Sequence, residues 1–369
     1  MGTGVLPIGG GSSAVGYTEY WVPDPYAPWT NTGVASPLYA CPVFRVGAKL
    51  YLFGGYDSAG AQSAVIYQAD YDASGTVPVF TSTGSSLPVA SGMGRGRIGL
   101  IGSTLYIFGS NDNLSGSRYT KILSAPLATP TVWSDTGATF GTLRQDASLM
   151  IANGLIGVIG GWNGVGIDST IYTSTATPTS GWATSGSIGG GNTWQMGAYL
   201  TNSQVVVVGG FTSTTVRRGA ISRFPLFDIV RGSTLPKNVD TNPGVLFMGS
   251  EVFVSNSTAT VSCAIEGNET SLWNDLGNLV NTTVSFQEAW WIGGDGRAYT
   301  IESVSGTRRI FRSGRRKVYV PTDTIATLEG LFGPYTDLPG YLADGTPSKV
   351  PMHVRMGIAP WWTDRRTAF

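Results

Sequence analysis

The sequence holds one histidine, His353, and two cysteines, Cys41 and Cys263, among 369 residues. With no histidine anywhere before His353, Ser-His-Asp and Cys-His catalysis are excluded over most of the chain. A copper centre built on imidazoles is excluded for the same reason. Two cysteines offer no metal-ligand spacing and read as a pair of free core thiols. Charge is scarce too: Asp, Glu, Lys and Arg make up 12%, with 23 basic against 23 acidic residues. A nucleic-acid surface or an anionic membrane surface needs a basic excess that is missing. No apolar run approaches ~20 residues, so no membrane span is expected. Met1 to Gly16 is rich in Gly and Ser, carries no Lys or Arg, and lacks the charged start and apolar core of a signal peptide. Gly9-Gly10-Gly11 and Gly189-Gly190-Gly191 are not phosphate loops, since no Lys-Ser/Thr follows either. No cofactor and no metal are expected.

Glycine is abundant, at 52 residues, about twice its usual share. Much of it punctuates a repeat. Leu50-Tyr51-Leu52-Phe53-Gly54-Gly55 has relatives starting at Leu105, Ile156, Val205, Val252 and Ala298. The spacings are 55, 51, 49, 47 and 46 residues. Three residues ahead of each run stands Gly47, Gly102, Asn153, Asn202, Gly249 or Asp295, types that tolerate the positive φ of a tight hairpin turn. An apolar stretch precedes each turn, as in Ile98 to Ile101 and Ala147 to Ile151. A third strand is expected at 64–67, 119–123, 170–173, 219–224, 260–265 and 309–312. A fourth is marked by an aromatic residue with glycine four positions on: Phe80 with Gly84, Trp133 with Gly137, Trp182 with Gly186, Trp273 with Gly277. In the fourth repeat this slot is degenerate, at Phe227 to Val230. The sixth repeat lacks such a strand, while Pro28-Trp29-Thr30-Asn31-Thr32-Gly33 supplies an orphan copy at the other end of the chain. It is expected to complete the last repeat.

A strand ending in Gly-Gly at a period near 50, with an aromatic outer strand, resembles the kelch type of β-propeller. The resemblance covers Tyr26 to Val320. It implies an all-β fold: a six-bladed kelch-like β-propeller closed by an N-terminal strand, with a C-terminal extended arm. The expected organisation is an N-terminal arm over 1–25, the propeller over 26–320, and a C-terminal arm over 321–369 with a Pro/Trp/Arg-rich end. Within that arm Trp361, Trp362, Arg365 and Arg366 combine the two residue types most enriched at binding hot spots. They read as an assembly contact on a neighbour, with packing on the same chain as the alternative.

Propeller ligands bind at the channel mouth, on loops and innermost strands. The first strand of each blade offers Arg45, Arg97, Arg144, Asp146, Gln195 and Glu288. Arg97, Arg144 and Glu288, with Trp162 and Trp194 as stacking platforms, form the candidate ligand site on the propeller face. Three arginines and an acid give part of what a sialidase-like site requires, but nothing in their spacing demands it. No catalytic residue is assigned and no enzymatic activity is expected. The low charge, the Gly/Ser/Thr richness and an arm outside a compact repeat region resemble virion proteins of tailed bacteriophages. That resemblance implies a structural or binding role in a tail tip, fibre or capsid decoration. Its partners are other virion proteins and host surface glycans, and its location is the virion, or otherwise the extracellular space or cell surface. A glycan-active propeller and a kelch-type adaptor are the alternatives.

Overall fold

The structure is a computed structural model. It describes residues 4–6, 15–24, 27–71, 76–89, 94–111, 118–140, 144–163, 165–175, 178–189, 196–200, 204–210, 213–239, 244–248, 251–255, 259–264, 273–277, 290–293, 295, 297–304, 307–321, 339–341 and 347–349. The chain is all-β, with one short 3-10 turn at Ile221–Arg223 among the described residues.

Three strands come first: β1 (Gly4–Leu6), β2 (Val15–Asp24) and β3 (Thr30–Ala35). Sheet one follows as β4 (Val43–Val46), β5 (Lys49–Tyr56), β6 (Gln62–Asp70) and β7 (Thr81–Ser86). Sheet two is β8 (Arg97–Ile101), β9 (Thr104–Asn111), β10 (Arg118–Pro126) and β11 (Ser134–Thr139). Sheet three is β12 (Ser148–Ala152), β13 (Leu155–Ile159), β14 (Thr170–Thr175) and β15 (Ala183–Ser187). Sheet four is β16 (Gly197–Leu200), β17 (Gln204–Val208), β18 (Thr215–Ala220) and β19 (Asp228–Thr234). Sheet five is β20 (Gly244–Met248), β21 (Glu251–Ser255), β22 (Thr260–Ala264) and β23 (Asn274–Gly277). Sheet six has β24 (Trp290–Ile292), β25 (Ala298–Val304) and β26 (Thr307–Arg312), with β3 as its fourth, outermost strand. Each is an antiparallel meander, the form expected of a propeller blade. Then β27 (Gly314–Pro321) pairs with β2 from Tyr17↔Pro321 to Asp24↔Gly314, and β1 adds to β2. A hairpin of β28 (Pro339–Tyr341) and β29 (Pro347–Lys349) comes last.

The hairpin turns at Gly47, Gly102 and Asn153 are where the sequence foretold them, whereas Asn202 and Gly249 lie outside the described residues. Asn153 and Gly154 have φ of 51° and 70°, the double positive φ of a type I′ turn. The outer strands share one device. Gly33 N–H donates to Asn31 Oδ1, Gly137 N–H to Asp135 Oδ1 and Gly277 N–H to Asp275 Oδ1, each at 2.9 Å. These Asx turns accommodate the bulge that shifts register between third and fourth strands. Next to the turn, the Thr32 hydroxyl donates to Ile310 C=O and the Thr136 hydroxyl to Ile122 C=O, both at 2.7 Å. The orphan stretch around Trp29 is thus the same structural unit as the one around Trp133, and it lies on sheet six as expected.

Neighbouring sheets pack face to face. Phe53 of sheet one meets the edge of Trp133 at 5.1 Å, and Phe108 of sheet two meets Trp182 at 5.9 Å. Such edge-to-face pairs add about 0.5–1.5 kcal/mol beyond their buried area. Phe80, leading into β7 of sheet one, packs against Trp291 of sheet six at 6.2 Å. One buried cluster joins Leu50, Leu52 and Phe80 to Trp291, Tyr299, Ile301 and Ile310. First strands also adjoin: β8 with β12, β12 with β16, β16 with β20, and β24 with β4. The Gly-Gly pairs make these approaches close. A Cβ on Gly55 (φ 118°) would lie 2.7 Å from Tyr39 O, and one on Gly209 (φ 69°) 2.7 Å from Val239 O. The second glycine thus meets the lead-in of its own sheet, and the first meets the lead-in of the next.

Two expectations need correction. The third strand of sheet four is Thr215–Ala220, not 219–224; the chain leaves the strand into the 3-10 turn and Phe224-Pro225. Arg217 and Arg218 disguised it, as two adjacent charges read as loop, yet both are buried. Arg144 and Asp146 lie ahead of β12 rather than within the first strand of their sheet; Cys41 likewise precedes β4, Cys263 is in β22, and both cysteines are buried.

Candidate functional site

The segments that lead into the first strands bring the charged residues together. Seven positions before the hairpin turn stand Ala40, Arg95 and Asp146 in sheets one, two and three. All three adopt positive φ, at 49°, 62° and 54°. Non-glycine residues rarely take that conformation, and it clusters where side chains are aimed for function or tight packing. Here it links sheets. The Arg95 N–H donates to Ala40 C=O at 2.8 Å, and Arg95 Nη1 donates to Asp146 Oδ2 at 3.2 Å. Gln195, Asn242 and Glu288 stand at the same sequence offset in the later repeats, outside the described residues.

Two positions earlier in sheet three comes Arg144, 1% exposed. Its Nη2 lies 2.7 Å from Asp168 Oδ2, and its guanidinium carbon sits 5.1 Å from the centre of the Tyr172 ring. Asp168 is placed by the loop between β13 and β14. There Asn163 Oδ1 accepts the N–H groups of Val165 and Gly166, and Asp168 Oδ1 accepts Thr170 N–H at 2.8 Å. Burial would raise the Asp168 carboxyl, but hydrogen bonds from Arg144 and Thr170, with the Arg144 charge, outweigh it and hold the pKa at about 2. At neutral pH this group is a fixed anion and not a proton donor.

Of the residues picked out by sequence, Arg97 and Arg144 are brought together: both line one cavity between sheets two and three. Arg97 Nε donates to Ala147 C=O at 2.8 Å, a bond from sheet two to the lead-in of sheet three. Trp162 is half-buried on the same loop as Asp168, its backbone bridged to Gln145. Arg45 is turned back on its own hairpin, donating to Gly47 C=O and stacking 3.6 Å over Tyr71. Trp194, Gln195, Glu288, Trp361, Trp362, Arg365 and Arg366 lie outside the described residues.

Sequence reasoning missed Arg95 and Asp168. Arg95 was findable, since it shares its offset from the turn with Asp146; Asp168 sits in a loop with no repeat register. It also missed a cluster in sheet six. The Tyr299 hydroxyl donates to Asp295 Oδ2 at 3.0 Å, as does Arg297 Nη1 at 2.8 Å, and Arg315 Nη1 donates to Asp295 C=O at 3.1 Å. Tyr299 is buried and stacks on Trp291, 5.5 Å apart and 5° from parallel. Burial, then the Asp295 charge, pushes its hydroxyl well above the ordinary tyrosine range. A phenol kept protonated under an indole is not poised as a nucleophile. No group of three or more His, Cys, Asp or Glu side chains suited to a metal occurs among the described residues.

No protein-family model and no curated protein matches this sequence. Among solved structures, the chain is similar to the structure of YjhT, with a TM-score of 0.57 and 11% identity, over 80% of this chain and 99% of that one. At that identity the likeness bears on fold alone, and it fits a β-propeller.

Proposed function

We propose that the chain is a six-bladed, kelch-like propeller closed by β3, and that it works as a non-catalytic binding and structural module in a larger assembly. One observation carries the reading. Each charged side chain that the repeat brings together is anchored to the scaffold by at least one bond: Arg95 pairs with Asp146, Arg97 bonds across to Ala147 C=O, and Arg144 pairs through Nη2 with Asp168. Asp168 is held as an anion and is no proton donor at neutral pH, and the buried tyrosine beside Asp295 is held neutral. The packing of sheet six on sheet one supports closure. The setting we favour is the virion of a tailed bacteriophage, on the strength of composition: 12% charge and 52 glycines with a Pro/Trp/Arg-rich end. In that setting residues 321–369 dock on another virion protein, and the loop bearing Trp162 faces host glycans.

The decisive assay is the purified chain against fluorogenic sialosides and other glycosides. No turnover is expected. Turnover that disappears in Glu288→Gln would overturn the reading in favour of a glycan-active enzyme. Truncation after Val350 tests the assembly role: an unchanged melting temperature with loss of incorporation into particles is expected, and normal incorporation would refute it.

A further inference from the structure

The cavity between sheets two and three is lined by Arg95, Arg97, Arg144, Asp146, Phe108 and Phe140, among other residues that are mostly buried. It offers about 10 Å³ to the centre of a water-sized species, room for a single water or an ion of similar size. Its polar walls are unbalanced. Among the described residues, three arginines and one carboxylate, Asp146, line it, and Asp168 stands behind Arg144 as its ion-pair partner. A guanidinium has five N–H donors. Arg144 directs Nη2 to Asp168, while Nε and Nη1 find no hydrogen-bond partner among the described residues. Three N–H donors on a 1%-exposed cation are therefore unspent, and leaving them so forfeits the solvation they would have in water. The equivalent place in sheet one is occupied by Leu38, so the fold does not itself require a cation here.

We propose that the cavity is a binding site for a small monovalent inorganic anion of the chloride type, held chiefly by Nε and Nη1 of Arg144. A water molecule has only two lone pairs with which to accept and brings no charge, whereas a halide accepts from every side and is attracted to the buried Arg144 guanidinium. The Asp146 carboxylate on the same wall opposes an anion, but its Oδ2 is engaged by Arg95. The ion would seal the junction of sheets two and three, and would make the stability of the whole chain depend on the anion supplied.

Thermal melting of the full chain in potassium chloride against potassium gluconate, at equal ionic strength and neutral pH, tests this. A saturable rise of about 2 °C or more with chloride is expected, following mass action. The rise should vanish in Arg144→Leu and persist in Lys121→Ala, whose ion pair is exposed. Equal melting temperatures in both salts, or a chloride effect that survives in Arg144→Leu, would overturn the proposal. Should Arg144→Leu fail to fold, crystals of the unaltered chain soaked in bromide decide it. An anomalous peak beside Arg144 is expected, and density without anomalous signal, meaning water, refutes the site.

Discussion

The lead-ins to sheets one and three have the same backbone and opposite side chains. In both, a reciprocal pair of backbone hydrogen bonds joins the lead-in to the end of the second strand: Tyr39 with Tyr56 at 2.9 and 3.0 Å, Gln145 with Trp162 at 3.1 and 3.0 Å. In both, the next residue has positive φ, and a glycine of the Gly-Gly pair lies against the segment. Yet sheet one sets Leu38 where sheet three sets Arg144, and both are 1% exposed. Sheet one fills its site with Leu38, Ala40 and Cys41, whereas sheet three fills it with an ion-paired network. The geometry is a property of the repeat, while the chemistry is a property of one sheet. A charged residue kept at a position that the same fold fills with leucine marks where this chain departs from its own template.

Substitutions can break that comparison, and the largest effect should come from forcing the charge into the wrong sheet. Leu38→Arg would bury a guanidinium with no partner built for it. It should cost about 3–5 kcal/mol, seen as a lower urea midpoint or an insoluble chain. A small loss would mean the sheet-one site opens readily to water. Gly55→Ala and Gly161→Ala probe what the sheets share. A Cβ would meet Tyr39 O at 2.7 Å in one and Gln145 O at 2.8 Å in the other, in a backbone region unfavourable to alanine. Each should lose about 1–3 kcal/mol or more in chemical denaturation, by similar amounts. Clearly unequal losses would show the backbones to be less alike than they look.

The third test is specific to sheet three. The folded carboxyl of Asp168 titrates at about 2, below the ordinary aspartate value of 3.8. A depressed folded pKa contributes stability that is complete above the unfolded value and is lost as pH falls through the folded one. Roughly 2 kcal/mol should therefore fade between about pH 4 and pH 2, and Asp168→Asn should flatten that limb of the profile. An unaltered limb in the variant would remove Asp168 from the account. The smallest effect is expected from converting sheet three toward sheet one. Arg144→Leu combined with Asp168→Asn removes both charges at once and should change stability by about 1 kcal/mol or less, since a buried ion pair is often no better than apolar packing.

The sheets were legible because their signals are periodic and local. Turn residues at a fixed offset, Gly-Gly ends and the Trp-x-Asx-Thr-Gly unit each impose a backbone conformation by themselves, so even the displaced copy at Trp29 could be assigned to sheet six. Signals without a period failed. Arg217 and Arg218 hide a buried strand behind charge. The pairing of β2 with β27, which joins residues of the N-terminal arm to the end of the repeat region, is a long-range ladder with no turn to announce it. The site was legible in part: Arg97 and Arg144 stood out as charges near first strands. Which carboxylate Arg144 would meet depended on how far one loop reaches, and that is set by Asn163 and Thr170 rather than by the repeat.

The position of β3 has a consequence for how the chain is made. Thr30 and Thr32 bond to Arg312 and Ile310, across 282 and 278 residues of sequence. At ordinary synthesis rates of about 5–20 residues per second, β3 leaves the ribosome some 15–55 s before its partner exists. During that interval it is an unprotected strand edge. Its sequence, Thr-Asn-Thr-Gly-Val-Ala, is polar and alternates exposed with half-buried positions. Such a strand can wait in water without recruiting another chain. The first element of the repeat region to emerge is the last to be used, and it is written in residues that tolerate the delay.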